Sequence, residues 1–282
     1  MPDNILGLIN KFDVFLFDIY GVIWNGKAPI VGATEVMTAI RKAGKKVVLL
    51  SNGTERQEKA ELSNAKRGFI KGVHYDKIIT SGELAYTVFS EDERKLKFYQ
   101  FGRRNETLFA DSKYIEEEKF SANVDFVYVG VPQLLENEKW KDCLTTSPFE
   151  KELQSYKKCS VPLVCANPDM KAHASQYDEA VIRQGSIARY YQDIGGDVEF
   201  FGKPYPQIYD FALQDINVPN DRILMIGDTL ETDILGGNSY GIKTALMLTG
   251  ITYENMQSEG FSSIEEYCAE LKIYPNYIFE TL

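Results

Sequence analysis

The sequence predicts an α/β protein: a doubly wound parallel sheet into which a second α/β domain is inserted. Three observations predict it. Short, continuous apolar runs recur, each ending in a polar or small residue. Amphipathic segments lie between them. The middle of the chain breaks that rhythm with runs of its own. Apolar runs of this length fit strands buried on both faces, as in a parallel sheet. Their alternation with amphipathic segments marks an α/β core.

In chain order, the first run is Asp13–Asp18 (DVFLFD), with the amphipathic segment Thr34–Ala43 after it. The second is Lys46–Ser51 (KVVLLS), followed by Glu55–Arg67, and the third is Ile78–Ser81 (IITS). The rhythm resumes with Tyr205–Gln214 as a helix, Ile223–Asp228 (ILMIGD) as a strand, Asp233–Tyr240 as a helix and Thr244–Thr249 (TALMLT) as a strand. Between the two halves stand the strand-like runs Leu96–Gly102, Phe126–Gly130 and Val161–Ala166. The same region holds charged, helix-like stretches at Lys113–Lys119 and Glu150–Lys158, and Gly195-Gly196 reads as a turn. The expected division is a core of residues 1–81 and 200–282 with residues 82–199 inserted as a second domain.

The chain has 282 residues, 44% hydrophobic and 26% charged, an ordinary composition for a folded protein. Its net charge is -10, without a Lys/Arg-rich run, which excludes nucleic acid as an expected partner. An acidic chain also repels anionic substrates at long range, so such a substrate needs a local cation. Cys143, Cys159, Cys165 and Cys268 show no metal-type spacing. The opening MPDNILGLINKFD lacks the basic and apolar regions of a signal peptide, and no stretch suits a membrane helix. These features predict a cytoplasmic protein with free thiols and no membrane partner.

Open parallel sheets carry their sites at the carboxyl ends of the strands. Asp18, Ser51 and Asp228 fall there. Four pieces of sequence stand out: Asp18-Ile19-Tyr20-Gly21-Val22, Ser51-Asn52-Gly53, Lys203-Pro204, and Gly227-Asp228-Thr229 with Asp233 following. Each alone is common as a cap, turn or loop. Four of them in this order, each beside the right element, point to a site.

On these residues the sequence resembles the haloacid dehalogenase (HAD) superfamily, and within it the class IIA, NagD-like hydrolases. The resemblance runs from Phe12 to Gly250. The insertion, lying between the second and third pieces, resembles a C2-type cap on a HAD-like core. Asn167-Pro168-Asp169 looks like the class's NPD signature, and Gly185-Ser186-Ile187-Ala188 sits where the family has a Gly-rich turn. Phe126–Gly130 resembles a cap strand, although Pro132 follows Val131 where the family often has an acidic residue.

The resemblance implies Mg²⁺-dependent hydrolysis of a small phosphate monoester through an aspartyl-phosphate. Asp18 would be the nucleophile, and Lys203 would neutralise charge and position it. Ser51, Asn52 and Gly53 would bind the phosphoryl oxygens. Asp18, the backbone carbonyl of Tyr20, Asp228 and Asp233 would hold the metal, Asp233 directly or through water. A cap would select the leaving group, and the family's habit implies a homodimer formed through it. The residue types suit the chemistry. A carboxylate nucleophile splits one hard displacement into two easier ones. It also repels the phosphoryl oxygens, so a hard cation must stand between them.

Tyr20 departs from the pattern, because HAD phosphatases carry a second Asp there as general acid and base. Two alternatives follow: a 2-haloacid dehalogenase-like enzyme, whose branch also has an aromatic at this place, or a catalytically weak scaffold that binds a phosphometabolite or a protein. The pair Asp228 and Asp233 argues for a metal and against the dehalogenase, since clustered carboxylates without a cation are costly. His74, His173, Trp24 and the pair Arg103-Arg104 read as packing or surface residues. Gly236, Gly237 and Gly241 do not make a dinucleotide fingerprint.

Overall fold

The apolar runs become the strands of two parallel sheets in a computed structural model that describes residues 4–172 and 180–282. His173 lies outside the described residues. The elements are, in order, β1 (Val14–Phe17), α1 (Ala33–Lys42), β2 (Lys46–Ser51), α2 (Gln57–Lys66), β3 (Lys77–Thr80), α3 (Ser81–Glu91), β4 (Lys97–Phe101), β5 (Ile115–Glu116), β6 (Phe126–Val129), β7 (Gln133–Glu136), β8 (Lys139–Asp142), α4 (Glu150–Lys158), β9 (Leu163–Cys165), β10 (Lys171–Ala172), β11 (Val181–Ile182), α5 (Gln184–Asp193), β12 (Val198–Phe200), α6 (Pro206–Leu213), β13 (Ile223–Gly227), α7 (Leu235–Tyr240), β14 (Lys243–Met247), α8 (Ile251–Ser258), α9 (Ile264–Leu271) and β15 (Tyr277–Phe279). No helix among the described residues is long and apolar enough to cross a membrane.

The chain forms two compact units. One comprises residues 1–51, 57–79 and 203–282, the other residues 52–56 and 80–202. The first is built on a six-stranded sheet in the order β15-β14-β13-β1-β2-β3. The α/β class predicted from the sequence is what the structure has. β1 lies at the centre and pairs in parallel with β13 and β2, with Val14 opposite both Ile223 and Lys46. All four of its residues are buried, as a strand covered on both faces requires. In α1, Ala33, Val36, Met37 and Ile40 recur at helical spacing and pack onto Phe15, Phe17, Val47 and Leu49. Leu230, Ile234, Leu246, Met256, Ile264 and Tyr267 form another cluster involving α8 and α9.

The second unit carries a five-stranded parallel sheet, β12-β9-β6-β4-β5, with a separate hairpin β7–β8. Leu153, Tyr156, Ile187 and Tyr191, from α4 and α5, pack with Val127, Val129 and Leu163 of this sheet. Two local expectations fail here. Lys113–Lys119 is not helical: β5 pairs with the start of β4, Lys97 opposite Ile115 and Phe98 opposite Glu116. Tyr114 is drawn into a cluster of Phe89, Phe98 and Phe126 rings. Tertiary packing of one ring and two strand pairs outweighs the helical propensity of the charges around them. Gly185-Ser186-Ile187-Ala188 is not a turn but lies in the opening turns of α5. Gly185 is needed there because a side chain would run into the backbone of Pro168 and Asp169.

Candidate active site

Strand order in the first sheet reverses between β1 and β13: β2 and β3 lie on one side, β14 and β15 on the other. Such a reversal opens a crevice beyond the carboxyl ends of the two strands. Asp18 follows β1 at this place, its amide donating to the Ile226 carbonyl at 2.9 Å. Asp228 follows β13. One ligand atom each from Asp18, Asp228 and Asp233 lies within 4.8 Å of the others.

Each carboxylate is fixed by its surroundings. Asp228 accepts from the Ile251 amide at 2.8 Å and from the Thr229 hydroxyl at 3.2 Å. Gly21, at φ +78°, and Gly250 both approach its carboxylate so closely that neither position has room for a side chain. Asp233 lies on a single π-helical turn, Leu230–Ile234, that leads into α7. Its Oδ2 accepts from the Thr229 amide at 3.1 Å, and its side chain fills the space beside Gly227. The sequence Gly227-Asp228-Thr229 thus holds one carboxylate, positions a second and leaves room for it.

Lys203 binds two of these acids together. Its Nζ donates to Asp18 Oδ1 at 2.6 Å, to Asp233 Oδ1 at 2.7 Å and to the Leu50 carbonyl at 3.1 Å. The lysine is only 2% exposed, and a buried ammonium persists only with partners of this kind. Three carboxylates against one ammonium still leave a formal charge of −2 in a buried place. Burial first, then the Asp18 and Asp233 carboxylates, push Asp228 well above the ordinary carboxylate range. A divalent cation with a preference for oxygen ligands fits that donor set.

The remaining predicted residues are placed as follows. Ser51 ends β2 and is buried. Asn52 and Gly53 fold with the second unit. Asn52 donates to Asp169 Oδ1 at 2.8 Å and accepts from the Ser81 hydroxyl at 3.3 Å, while the Gly53 carbonyl accepts from the Gly82 amide. Asp169 closes the Asn167-Pro168-Asp169 turn, its amide donating to Asn167 Oδ1 at 3.0 Å. Tyr20 is 47% exposed, and its hydroxyl accepts from Arg67 at 2.8 Å. The bridge between Tyr20 and Trp24 is made by Gly21 N–H to the Trp24 carbonyl and Trp24 N–H to the Ile19 carbonyl, so the Tyr20 carbonyl takes no part in it.

Of the residues read as packing or surface, His74, Trp24, Arg103 and Arg104 are described. Trp24 packs on the first core under the Arg67 guanidinium. His74 Nδ1 accepts from the Ile70 amide at 2.8 Å, and burial lowers its pKa. Arg104 pairs with Glu116, and Arg103 reaches Gln133. Sequence reasoning overlooked Gly250, Ile251 and Thr252, which brace Asp228 and the turn carrying Asp233. A glycine at the end of the Thr244–Thr249 run was the available signal.

Comparison with known proteins gives two family matches: residues 15–115 to a haloacid dehalogenase-like hydrolase family and residues 200–281 to a HAD-hydrolase-like family. Phosphoglycolate phosphatase 2 of Arabidopsis thaliana is 27% identical, over 93% of this chain and 91% of its own length. The 4-nitrophenylphosphatase of Schizosaccharomyces pombe is 25% identical, over 100% of this chain and 95% of its own length. A haloacid dehalogenase-like hydrolase from Brucella suis 1330 shares the fold with a TM-score of 0.82 at 22% identity, covering 100% of both chains.

Proposed function

The chain belongs to the haloacid dehalogenase-like hydrolases, class IIA, and from that premise we propose that it is a Mg²⁺-dependent phosphatase of small phosphate monoesters with Asp18 as nucleophile. One observation carries the reading: Lys203 is hydrogen-bonded to both Asp18 and Asp233, with the Asp228 carboxylate beside them, at the crevice where the sheet order reverses.

Asp18 attacks phosphorus, the ester oxygen leaves with its electron pair and takes up a proton, and the phosphoryl group is carried on the carboxylate. Water then attacks phosphorus, inorganic phosphate leaves, and Asp18 is restored. Lys203 holds the Asp18 carboxylate in one orientation throughout and offsets the charge gathering there. Ser51, Asn52 and Gly53 are proposed to take the phosphoryl oxygens. Asp18, the Tyr20 carbonyl, Asp228 and Asp233 are the proposed Mg²⁺ ligands. When bound, the ion neutralises the carboxylates and the phosphoryl oxygens they face. The inserted unit, residues 82–199 in the sequence reading, is proposed as the cap that selects the leaving group and joins two copies in a cytoplasmic homodimer.

The test is phosphate release from a panel of phosphometabolites and 4-nitrophenyl phosphate, with and without Mg²⁺, in wild type and Asp18→Asn. Release that needs Mg²⁺ and vanishes in a folded Asp18→Asn variant is expected. Metal-independent halide release from 2-haloacids would favour the dehalogenase alternative. Thermal shifts with phosphometabolites but no turnover would favour the binding scaffold.

A further inference from the structure

Tyr209, on α6, is completely buried, and its hydroxyl has no hydrogen-bond partner among the described residues. That is an unusual place for a phenol. A buried hydroxyl without a partner costs stability that phenylalanine would not. The ring itself is well packed, stacking on Tyr240 at 5.1 Å. Packing therefore accounts for the ring and leaves the oxygen unexplained.

The surroundings of that oxygen are specific. It lies against α7 at Gly236, where a side chain would run into the hydroxyl and into Pro204, the residue next to Lys203. Burial raises the phenol's pKa far above its usual range, and the charges it feels are Lys203, Asp233 and Asp18. The hydroxyl thus lies beside Gly236, three residues after Asp233, and near Pro204, which follows Lys203, and it is hydrogen-bonded to no described residue. Lys203 cannot be its partner, because all three ammonium donors are committed to Asp18, Asp233 and Leu50. Asp233 has capacity left. Each of its oxygens accepts one bond, from Lys203 and from the Thr229 amide, and a carboxylate oxygen takes two.

We propose that Tyr209 is a positioning residue for the Lys203–Asp233–Asp18 cluster, acting through one buried water held between its hydroxyl and the Asp233 carboxylate. Buried waters characteristically join polar groups that would otherwise be unsatisfied. The water fixes Asp233, and Asp233 in turn fixes Lys203 on Asp18. The kinetic consequence rests on the phosphatase reading; the structural one does not.

Tyr209→Phe in the full-length protein tests it. Without Mg²⁺ the variant should melt below the wild type, since its water and Asp233 lose a partner. The Mg²⁺ concentration giving half the thermal shift should rise, and kcat on 4-nitrophenyl phosphate should fall, each by about tenfold, with KM unchanged. A variant melting at or above the wild-type temperature overturns the proposal, because removing an unpartnered hydroxyl stabilises. A lower melting temperature with Mg²⁺ response and kcat both unchanged also overturns it, leaving Tyr209 structural. A wild type that responds to neither esters nor Mg²⁺ removes the phosphatase reading instead. The sign of the metal-free melting shift then decides the inference alone.

Discussion

Tyr20 stands two residues beyond the proposed nucleophile, where the resembling phosphatases have an acid. A carboxyl group can protonate a leaving oxygen and later deprotonate water, whereas near neutral pH a phenol donates readily and is a poor base. The aspartyl-phosphate should therefore form on good leaving groups and hydrolyse slowly. Tyr20→Asp is expected to raise steady-state turnover by as much as ~10²–10⁴-fold, more on alkyl than on aryl phosphates. The Arg67 bond to the Tyr20 hydroxyl supports the opposite account, a residue held for packing or selectivity. Unchanged or lower turnover in a folded, Mg²⁺-binding variant would establish that account. Gly21 gives a second prediction. Its φ of +78° and the closeness of Asp228 both oppose any side chain. Gly21→Ala should cost about 1–3 kcal/mol in unfolding experiments and weaken the Mg²⁺ thermal shift. Asp18 and Asp228 were legible in the sequence because a charged residue ending an apolar run stands out. Tyr209 was not, because a tyrosine on an amphipathic helix looks the same whether or not its hydroxyl is satisfied.

Elements were legible where their pattern was long. Five of the six strands of the first sheet begin and end close to the apolar runs, and the three-residue edge strand β15 was missed. The short pieces of the second unit escaped: β5 has two residues, and the β7–β8 hairpin turns on Asn137 and Glu138, at positive φ, inside a charged stretch. No hydrophobic period distinguishes such segments from solvated loop. Strand starts also show how charge organises the sheet. Asp13, before β1, takes a two-bonded clasp from Arg222 at 2.7 and 2.8 Å, beside the start of β13, and a 2.7 Å bond from Lys45, next to β2. The Arg222 bond first, and then Lys45, hold its carboxyl well below the ordinary value of 3.8. A depressed carboxyl contributes stability that is present above its unfolded-state pKa and lost as pH falls towards the folded one. The stability gap between wild type and Asp13→Asn, measured by urea unfolding, should be present at neutral pH and shrink as the solution is acidified through the ordinary carboxylate range. A gap that widens in acid would contradict the clasp. Asp13 is partly exposed, so solvent screening keeps the effect modest.

At the scale of the whole molecule, the chain passes between its two units four times, at 51/52, 56/57, 79/80 and 202/203. The last two, 79/80 and 202/203, are what an inserted domain produces. The first two, 51/52 and 56/57, send the stretch 52–56 into the second unit, and with it Asn52 and Gly53 of the Ser51-Asn52-Gly53 piece read from sequence as phosphate-binding. There the Thr54 carbonyl accepts from Asn105, the Glu55 carbonyl from the Thr80 hydroxyl, and Arg56 pairs with Glu83. No single-sequence pattern could show this, because the partners are local polar contacts without periodicity. Replacing residues 83–198 with a short linker removes Asn105, Asp169 and Glu83, so the 52–56 stretch loses most of its anchors. The first unit keeps its six strands, the α1 packing, the grouping of Asp18, Asp228 and Asp233, and the Lys203 bonds to Asp18, Asp233 and the Leu50 carbonyl, because these lie within it. The shortened protein should therefore unfold cooperatively and still gain thermal stability from Mg²⁺, as a native state gains from any ligand it alone binds. Its phosphatase rate should fall and its preference among phosphate esters flatten, since the segment proposed to select the leaving group is gone. Loss of cooperative unfolding would show that the two units fold as one. A shortened core with undiminished selectivity would remove the cap role from the inserted residues.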